Sequence, residues 1–90
     1  MADEAALLAQ LHAALARTAR GRLDDAAREV AAADLHVTFT QPLAGTLRTQ
    51  GRVTGGGRSV CFCEVEAHDR QGRLVARAMG TFRYRGAASA

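Results

Sequence analysis

The residues best suited to chemistry in this chain are three histidines and two cysteines. His12, His36 and His68 lie far apart in the sequence and match no usual spacing of metal ligands. No serine or cysteine can be grouped with a histidine into a nucleophilic site without arbitrary choices. Cys61 and Cys63 are two residues apart, so on a strand they share a face, where a bridge between them would strain the pleat. The sequence therefore predicts reduced cysteines that pack as small core residues, and no metal site.

The charge of the chain is basic, and it comes from arginine alone. The net charge is +3, and the twelve basic residues include no lysine. A net positive charge suits binding to a nucleic acid, a membrane surface or a phosphorylated ligand. Arginines scattered over the solvent-exposed surface explain the same charge equally well. The arginines form no tract, and no zinc-finger, basic-zipper or RNA-recognition pattern is present. We therefore do not expect a nucleic-acid partner.

Length and terminal sequence bound the size, assembly and location of the protein. Ninety residues make one domain, and a chain this short buries only about two-thirds of its unfolded surface. Much of its apolar content is alanine, so we expect a thin core and a homodimer or tetramer. No run reaches the roughly 20 apolar residues of a membrane span. The chain opens with Met-Ala-Asp-Glu, acidic where a signal peptide is basic, so we expect a cytoplasmic protein without a membrane partner.

The first third of the chain predicts one amphipathic helix over residues 4–20. Ala, Leu, Gln and Arg dominate this segment and favour helix. The large apolar side chains recur at helical spacing, at Leu7, Leu8, Leu11 and Leu15. Gly21 is a natural stop. Residues 22–29 are ambiguous; we predict a short connector, with strand beginning near Val30.

The rest of the chain predicts four antiparallel strands joined by tight polar turns. The strands are expected at 30–41, 47–54, 59–68 and 74–85, and the turns at 43–45, 55–57 and 69–72. Strands this long twist and coil, and small residues such as Ala76, Ala78 and Gly80 allow a helix to approach closely. The expected fold class is α+β, one long helix packed on a curved antiparallel sheet. Helix and connector occupy residues 1–33 of this single domain, the sheet 34–85, and a frayed tail 86–90.

Two segments resemble the acyl-CoA thioesterases of the hotdog-fold superfamily, of the phenylacetate and 4-hydroxybenzoyl-CoA type. They read DLHVTFTQPLAG over residues 34–45 and GRVTGGGRSVCFCEVEAHDRQGRLVARAMGTF over 51–82. The segment ALARTARG, residues 14–21, is similar to the family's helix, which commonly reads Ala-Leu-Ala-Asp-Thr-Ala. The resemblance covers residues 11–85. It implies a hotdog fold and acyl-CoA thioesters as ligands, with coenzyme A as part of the substrate and no separate cofactor.

The same resemblance implies a catalytic site that this sequence does not complete. In the family, a His-Gly-Gly turn before the helix polarises the thioester carbonyl, and an acidic residue on the helix attacks the thioester or activates water. The position of the family's acid corresponds to Arg17 in this sequence. A guanidinium group stays protonated, so it can neither attack a thioester nor activate water. The turn falls at residues 8–10, Leu-Ala-Gln, and the family's first strand has no counterpart. The candidates to replace the acid are Asp24, Asp25 and Glu29, although solvated charge around the connector explains them as well.

The resemblance also implies where a ligand binds. In the family the coenzyme A arm lies at the dimer interface, near the segments matching 55–59 and 35–40. The candidate ligand-binding residues are His36, Thr38, Phe39, Gly56, Gly57, Arg58 and Ser59. The hairpin could offer backbone N–H groups and a guanidinium to phosphate; a plain glycine hairpin with an exposed arginine is the alternative. Three interpretations stay open: a thioesterase, a non-catalytic CoA-ester binding or dimerisation module, and a truncated gene product or designed fragment.

Overall fold

A single helix, α1, spans Glu4–Gly21. The structure is a computed structural model that describes residues 4–23, 28–42 and 46–86. Glu4 lies in the first turn and Arg20 in the last, where each charge complements the helix dipole. The face of α1 that packs on the sheet consists of Leu7, Leu11, Ala14, Leu15 and Ala19, all buried. The helical spacing in the sequence thus identified Leu7, Leu11 and Leu15 on the packed face, whereas Leu8 is exposed.

Four antiparallel strands form one sheet. They are β1 (Glu29–Phe39), β2 (Arg48–Gly56), β3 (Val60–His68) and β4 (Leu74–Arg85). Their order in the sheet is β1-β4-β3-β2, so β1 and β2 are its two edges. The predicted fold class is confirmed: one helix packs on an open four-stranded antiparallel sheet.

Strand β1 starts earlier than the residue-34 boundary expected for the sheet. It begins at Glu29, which pairs with Arg85, and continues through Val30, which pairs with Tyr84. This start lies within one residue of the strand start predicted near Val30. The later boundary at residue 34 was wrong because the run of alanines at 31–33 carries no alternation of large apolar and polar side chains. The expected turn at 43–45 and the end of the expected tail, 87–90, lie outside the described residues.

The sheet has a helix face, which packs on α1, and an outer face, which points away from it. On β3, alternate residues are buried against α1, starting at Cys61, whereas Phe62 and the residues that alternate with it face outward. On β4, Ala76, Ala78, Gly80 and Phe82 lie on the helix face. Every candidate residue of the sheet can therefore be assigned to one face.

Close packing of α1 on the sheet depends on Gly80. A Cβ atom at this position would lie 3.0 Å from Phe82 Cε1, 3.2 Å from Leu35 Cδ2 and 3.3 Å from Leu15 Cδ1. A side chain here would force these neighbours to move, because the core is close-packed. The small residues predicted to allow a close helix–sheet approach are found where they do so.

Both cysteines are free and buried, as predicted. The Cys63 thiol lies 3.7 Å from the carbonyl oxygen of Leu15 on α1. Burial, reinforced by the neighbouring Cys61, raises the pKa of Cys63 to about 11. Cys63 therefore stays a neutral thiol near pH 7 and serves packing rather than nucleophilic chemistry.

The turn between β3 and β4 is organised by Asp69. Its buried carboxylate accepts hydrogen bonds of 2.9 Å from the backbone N–H groups of Gln71 and Arg73 and from Nε of Arg73. Gly72 adopts a φ of 82°, the left-handed conformation expected for the glycine of this turn. The backbone N–H of Arg73 first, and then its guanidinium, holds the pKa of Asp69 below its ordinary value.

Asp69→Asn is expected to lower the melting temperature near pH 7 and to flatten its dependence on pH in the acid range. Because the folded-state pKa of Asp69 is lowered, its stabilising contribution is present above the unfolded pKa of about 3.9 and is lost as pH falls through the folded value. Thermal unfolding followed by circular dichroism between about pH 2.5 and 7 tests this. Parallel pH profiles for the two proteins would show that Asp69 does not organise the turn through its charge.

Candidate functional site

The hairpin between β2 and β3 has a backbone that only glycine supports. Gly56 has a φ of 131°, and a Cβ atom there would collide with the carbonyl oxygen of Val60. The N–H of Gly57 donates to the same carbonyl at 2.8 Å, which closes the turn. Arg58 and Ser59 are both exposed at its tip. Four of the seven candidate ligand-binding residues, 56–59, therefore form one compact, exposed group.

Two arginines from outside the hairpin pack against it. Nη1 of Arg22, just after α1, donates to the carbonyl oxygen of Val60 at 2.9 Å. Nη1 of Arg28, just before β1, donates to the carbonyl oxygen of Arg58 at 3.1 Å. The other two donors of Arg28 reach the carbonyl oxygens of Gly86 and Tyr84, at 3.2 and 3.1 Å. In the part of the chain that the structure describes, none of these arginines pairs with a carboxylate.

Tyr84 holds the two arginines at this end of the sheet. The guanidinium carbons of Arg22 and Arg28 lie 5.8 Å and 5.5 Å from the centroid of the Tyr84 ring, within the range of cation–π contacts. Its hydroxyl donates to the carbonyl oxygen of Ala19 at 2.7 Å, in the last turn of α1. Burial raises the pKa of Tyr84 to about 12, so the hydroxyl stays protonated and the link to α1 persists. We call Arg22, Arg28, Arg58 and the hairpin 56–59 the arginine tip.

Sequence reasoning identified the hairpin but missed Arg22, Arg28 and Tyr84 as its neighbours. The sequence does concentrate arginines near the end of α1, at 17, 20 and 22. Arg28 and Tyr84 come close to this group only in the folded protein, because the hydrogen bond between them spans 56 positions of sequence. No short-range pattern reports such a contact.

The other three candidate ligand residues lie away from the arginine tip. The row of paired residues at the hairpin runs Gly56, Cys61, Phe82, Ala32 across the sheet, whereas His36 pairs with Met79 farther along β1. Their partners on β4, Met79 and Ala76, are three and six residues from Phe82, so at about 3.3 Å per residue His36 is roughly 10 Å and Phe39 roughly 20 Å from that row. By alternation, His36 and Thr38 face outward and Phe39 lies on the helix face. Within a single chain, the seven candidate ligand-binding residues therefore do not form one site.

The candidate catalytic positions contain no carboxylate on the helix beyond its first turn. Arg17 is exposed on α1, and Glu4 is the one acidic residue of that helix. Glu29 is exposed at the start of β1, opposite Arg85. Asp24 and Asp25 lie outside the described residues. The described part of α1 therefore offers no general base where the resemblance requires one.

An exposed apolar strip follows the β1 edge on the helix face. It consists of Leu8, Leu35 and Phe39. Leu8 is on the same side of α1 as Leu15, seven residues later, and Leu15 approaches Leu35 around Gly80. The outer edge of β1 has no neighbouring strand in this sheet. An open strand edge beside exposed apolar side chains is a surface suited to association.

Two further classes of site find no support in the described residues. Within 4–23, 28–42 and 46–86, no group of three or more His, Cys, Asp or Glu side chains could hold a metal ion. No helix in the same ranges has the length and apolarity needed to cross a membrane.

A helix packed on a four-stranded antiparallel sheet, with a glycine hairpin at one end, defines a hotdog-type domain. The family model of the thioesterase superfamily matches residues 1–76. The chain belongs to that superfamily. The family predicted from the sequence is therefore confirmed. Among proteins of curated function, none matches the chain significantly.

Solved structures agree on the fold. A phenylacetic acid degradation-related protein of Ralstonia eutropha is 33% identical with a TM-score of 0.77, over 86% of this chain and 58% of its own. A Bacillus halodurans protein crystallised with CoA is 24% identical with a TM-score of 0.76, over 82% of this chain and 52% of its own. A thioesterase of Staphylococcus aureus is 12% identical with a TM-score of 0.85, over 93% and 70%. The chain thus spans between half and three-fifths of the length of the first two.

Proposed function

We propose that this thioesterase-superfamily domain binds acyl-CoA thioesters and hydrolyses them slowly or not at all. The observation that carries the proposal is the arginine tip. Its described arginines hydrogen-bond only neutral carbonyl oxygens, so their positive charge is not neutralised by any described carboxylate. Guanidinium groups suit phosphate oxygens. The related Bacillus halodurans protein was crystallised with CoA, which makes a CoA ester the natural phosphorylated ligand to test.

A homodimer formed along β1 would complete the site. Two copies of β1 paired antiparallel place the Phe39 end of one strand beside the Val30 end of the other. The apolar strip would be covered, and Phe39 of one copy would lie near the sheet end that carries the partner's arginine tip. The candidate ligand residues that are separate in one chain would then flank one cleft between two chains.

Sedimentation is expected to show the dimer at micromolar concentration. Leu35→Asp should shift the population to monomer, because a charge in the apolar strip would have to be desolvated on association. A matched control is Val53→Asp, since Val53 is a similarly exposed apolar residue on the opposite edge strand. Equal behaviour of the two variants would count against association through β1.

The alternative, a module that binds CoA esters without hydrolysing them, has its own supporting observation. The position where the resemblance places the family's catalytic acid holds Arg17, and Glu4 is the one carboxylate of α1. An arginine cannot act as a general base. Both functions share the binding step and differ only in turnover, so measurements of binding and of turnover separate them.

Arg58→Ala is expected to weaken binding of an acyl-CoA by about tenfold at low ionic strength, and by less as salt is added. A hydrogen bond to a charged group contributes on the order of 1.5 kcal/mol, which is about a factor of ten, and exposed charges are screened. Titration calorimetry measures the affinity. Arg70→Ala is the control, because Arg70 is an exposed turn arginine between β3 and β4. Equal weakening by both variants would indicate unspecific attraction and contradict a phosphate site at the hairpin.

A further inference from the structure

A groove crosses the outer face of the sheet at the end that carries the arginine tip. It has a volume of about 610 Å³, within the range of about 300–1,000 Å³ typical of small-molecule sites. Its lining includes the side chains that give it chemical character: Ser59, Phe62, Thr81, Arg83 and Arg85. None of these except Ser59 belongs to the site that the sequence suggested.

A β-bulge in β1 shapes one wall of the groove. The pairing of β1 with β4 jumps between Ala32 and Asp34, which leaves Ala33 as the extra residue. Ala33 lines the groove and has only a methyl group to place there. On the other side, the N–H of Tyr84 donates to the carbonyl oxygen of Ser59 at 3.0 Å, which extends the floor of the groove beyond the start of β3.

The groove combines an exposed aromatic ring with two free cations. Phe62 is 44% exposed and lies opposite Thr81 in the pairing of β3 with β4. Arg83 and Arg85 follow on the same face of β4, and neither side chain makes a hydrogen bond or ion pair within the described ranges. A planar ring stacks on an exposed phenyl group, and guanidinium groups bind phosphate oxygens.

Two described carboxylates near the groove reduce this positive charge without outweighing the arginines at this end of the sheet. Asp34 lies opposite Thr81, and Glu29 lies opposite Arg85. Neither lines the groove, and neither forms an ion pair among the described residues. The arginine tip at the same end of the sheet adds further positive charge. Charge complementarity therefore favours an anionic occupant.

We propose that this groove binds a nucleoside phosphate, with its base stacked on Phe62 and its phosphates on Arg83 and Arg85. Resting on the function proposed above, the nucleotide is the adenosine bisphosphate half of the CoA ester. The arginine tip and the groove share Ser59, so one extended ligand can contact both. A free purine nucleotide has the same chemistry and is the other source of such a ligand.

An amide NMR titration with free adenosine bisphosphate, and separately with CoA, tests the site. Both ligands are expected to shift the signals of Ser59, Phe62, Thr81 and Arg83. Phe62→Ala should weaken the affinity for either ligand by about 5- to 100-fold, the range that corresponds to one lost base-stacking contact. The control is Met79→Ala, because Met79 is 45% exposed on the same face but lies outside the groove.

The double variant Arg83→Gln/Arg85→Gln should weaken binding more at low salt than at high salt. Its control is Arg48→Gln, an exposed arginine at the far end of the outer face, where it pairs with His68. Unchanged affinity in both the Phe62 and the double arginine variants would overturn the proposal. So would a change in sedimentation by Phe62→Ala without any change in nucleotide affinity, because the groove would then contact a second copy of the chain.

The two proposals fail in different ways. CoA that binds while the groove signals stay fixed leaves the proposed function intact and overturns the groove. Adenosine bisphosphate that shifts the groove signals, while CoA esters do not bind, supports the groove for a free nucleotide and overturns the proposed function. Competition between adenosine bisphosphate and CoA supports a shared site in the groove. Failure of both ligands to bind overturns both proposals.

Discussion

Leu11→Ala is expected to lower the free energy of unfolding by about 2–5 kcal/mol, the usual cost of truncating a buried leucine. Leu11 is 1% exposed at the centre of the packed face of α1. Its loss leaves a cavity between α1 and the sheet that alanine-rich neighbours cannot fill. A domain of this size has roughly 5–15 kcal/mol of stability in total. The variant should therefore unfold at much lower urea concentration than the parent.

Leu8→Ala is the matched control for this prediction. Leu8 is on the same helix but is 43% exposed. In the monomer, Leu8→Ala should therefore lower the free energy of unfolding by well under half as much as Leu11→Ala does. Urea unfolding followed by circular dichroism at several protein concentrations separates loss of packing from loss of association, because an assembly makes stability depend on concentration. Equal costs for both substitutions at low concentration would mean that α1 does not pack on the sheet through Leu11.

Arg17→Asp is expected to raise acyl-CoA hydrolysis by about 10- to 100-fold over the unmodified chain. The substitution puts a carboxylate at the position where the resemblance to the family places its acid, and a positioned base contributes about 10²–10⁴ in rate. The expected gain lies at or below the lower end of this range, because residues 8–10, where the resemblance places the family's oxyanion-stabilising turn, read Leu-Ala-Gln. Arg17 is exposed and makes no described contact, so the change removes no packing. Release of free CoA from a panel of acyl-CoAs measures the rate.

Arg17→Asn distinguishes a base from a mere loss of positive charge. Asparagine has the shape of aspartate but cannot accept a proton from water at neutral pH. If the two variants hydrolyse the panel at the same rate, position 17 does not correspond to the family's acid. The catalytic assignment taken from the motif would then be wrong.

The sequence predicted those parts of the fold that local patterns determine. The leucines of α1 recur at helical spacing, and residues of β3 and β4 alternate, so the packed faces of these elements were evident. Gly72 and Gly56 occupy turns that need a positive φ, which the glycine clusters indicated. The alanine run at 31–33, however, shows no alternation of large apolar and polar side chains. The boundary of the sheet was therefore placed too late, at residue 34, although the strand start predicted near Val30 agrees with the observed start at Glu29.

The candidate site was less predictable because it depends on long-range contacts. Arg28 reaches Gly86 across 58 positions and Arg58 across 30. Tyr84 bonds Ala19 across 65 positions. Such contacts are set by the order of the strands in the sheet and not by any local pattern. The hairpin glycines were recognisable from the sequence, whereas the arginines that give the hairpin its charge required the three-dimensional structure.

The most direct test of the proposed function measures binding and turnover of one acyl-CoA by the unmodified 90-residue chain in the same sample. We expect saturable binding in calorimetry, together with release of free CoA slower than about 10⁻³ s⁻¹. This limit takes a typical kcat of about 10 s⁻¹ and reduces it by about 10² for each of the two groups that the resemblance requires and the sequence does not supply at the matching positions, a general base and oxyanion donors. Absence of saturable binding, or turnover of about 1 s⁻¹ or faster, would contradict it.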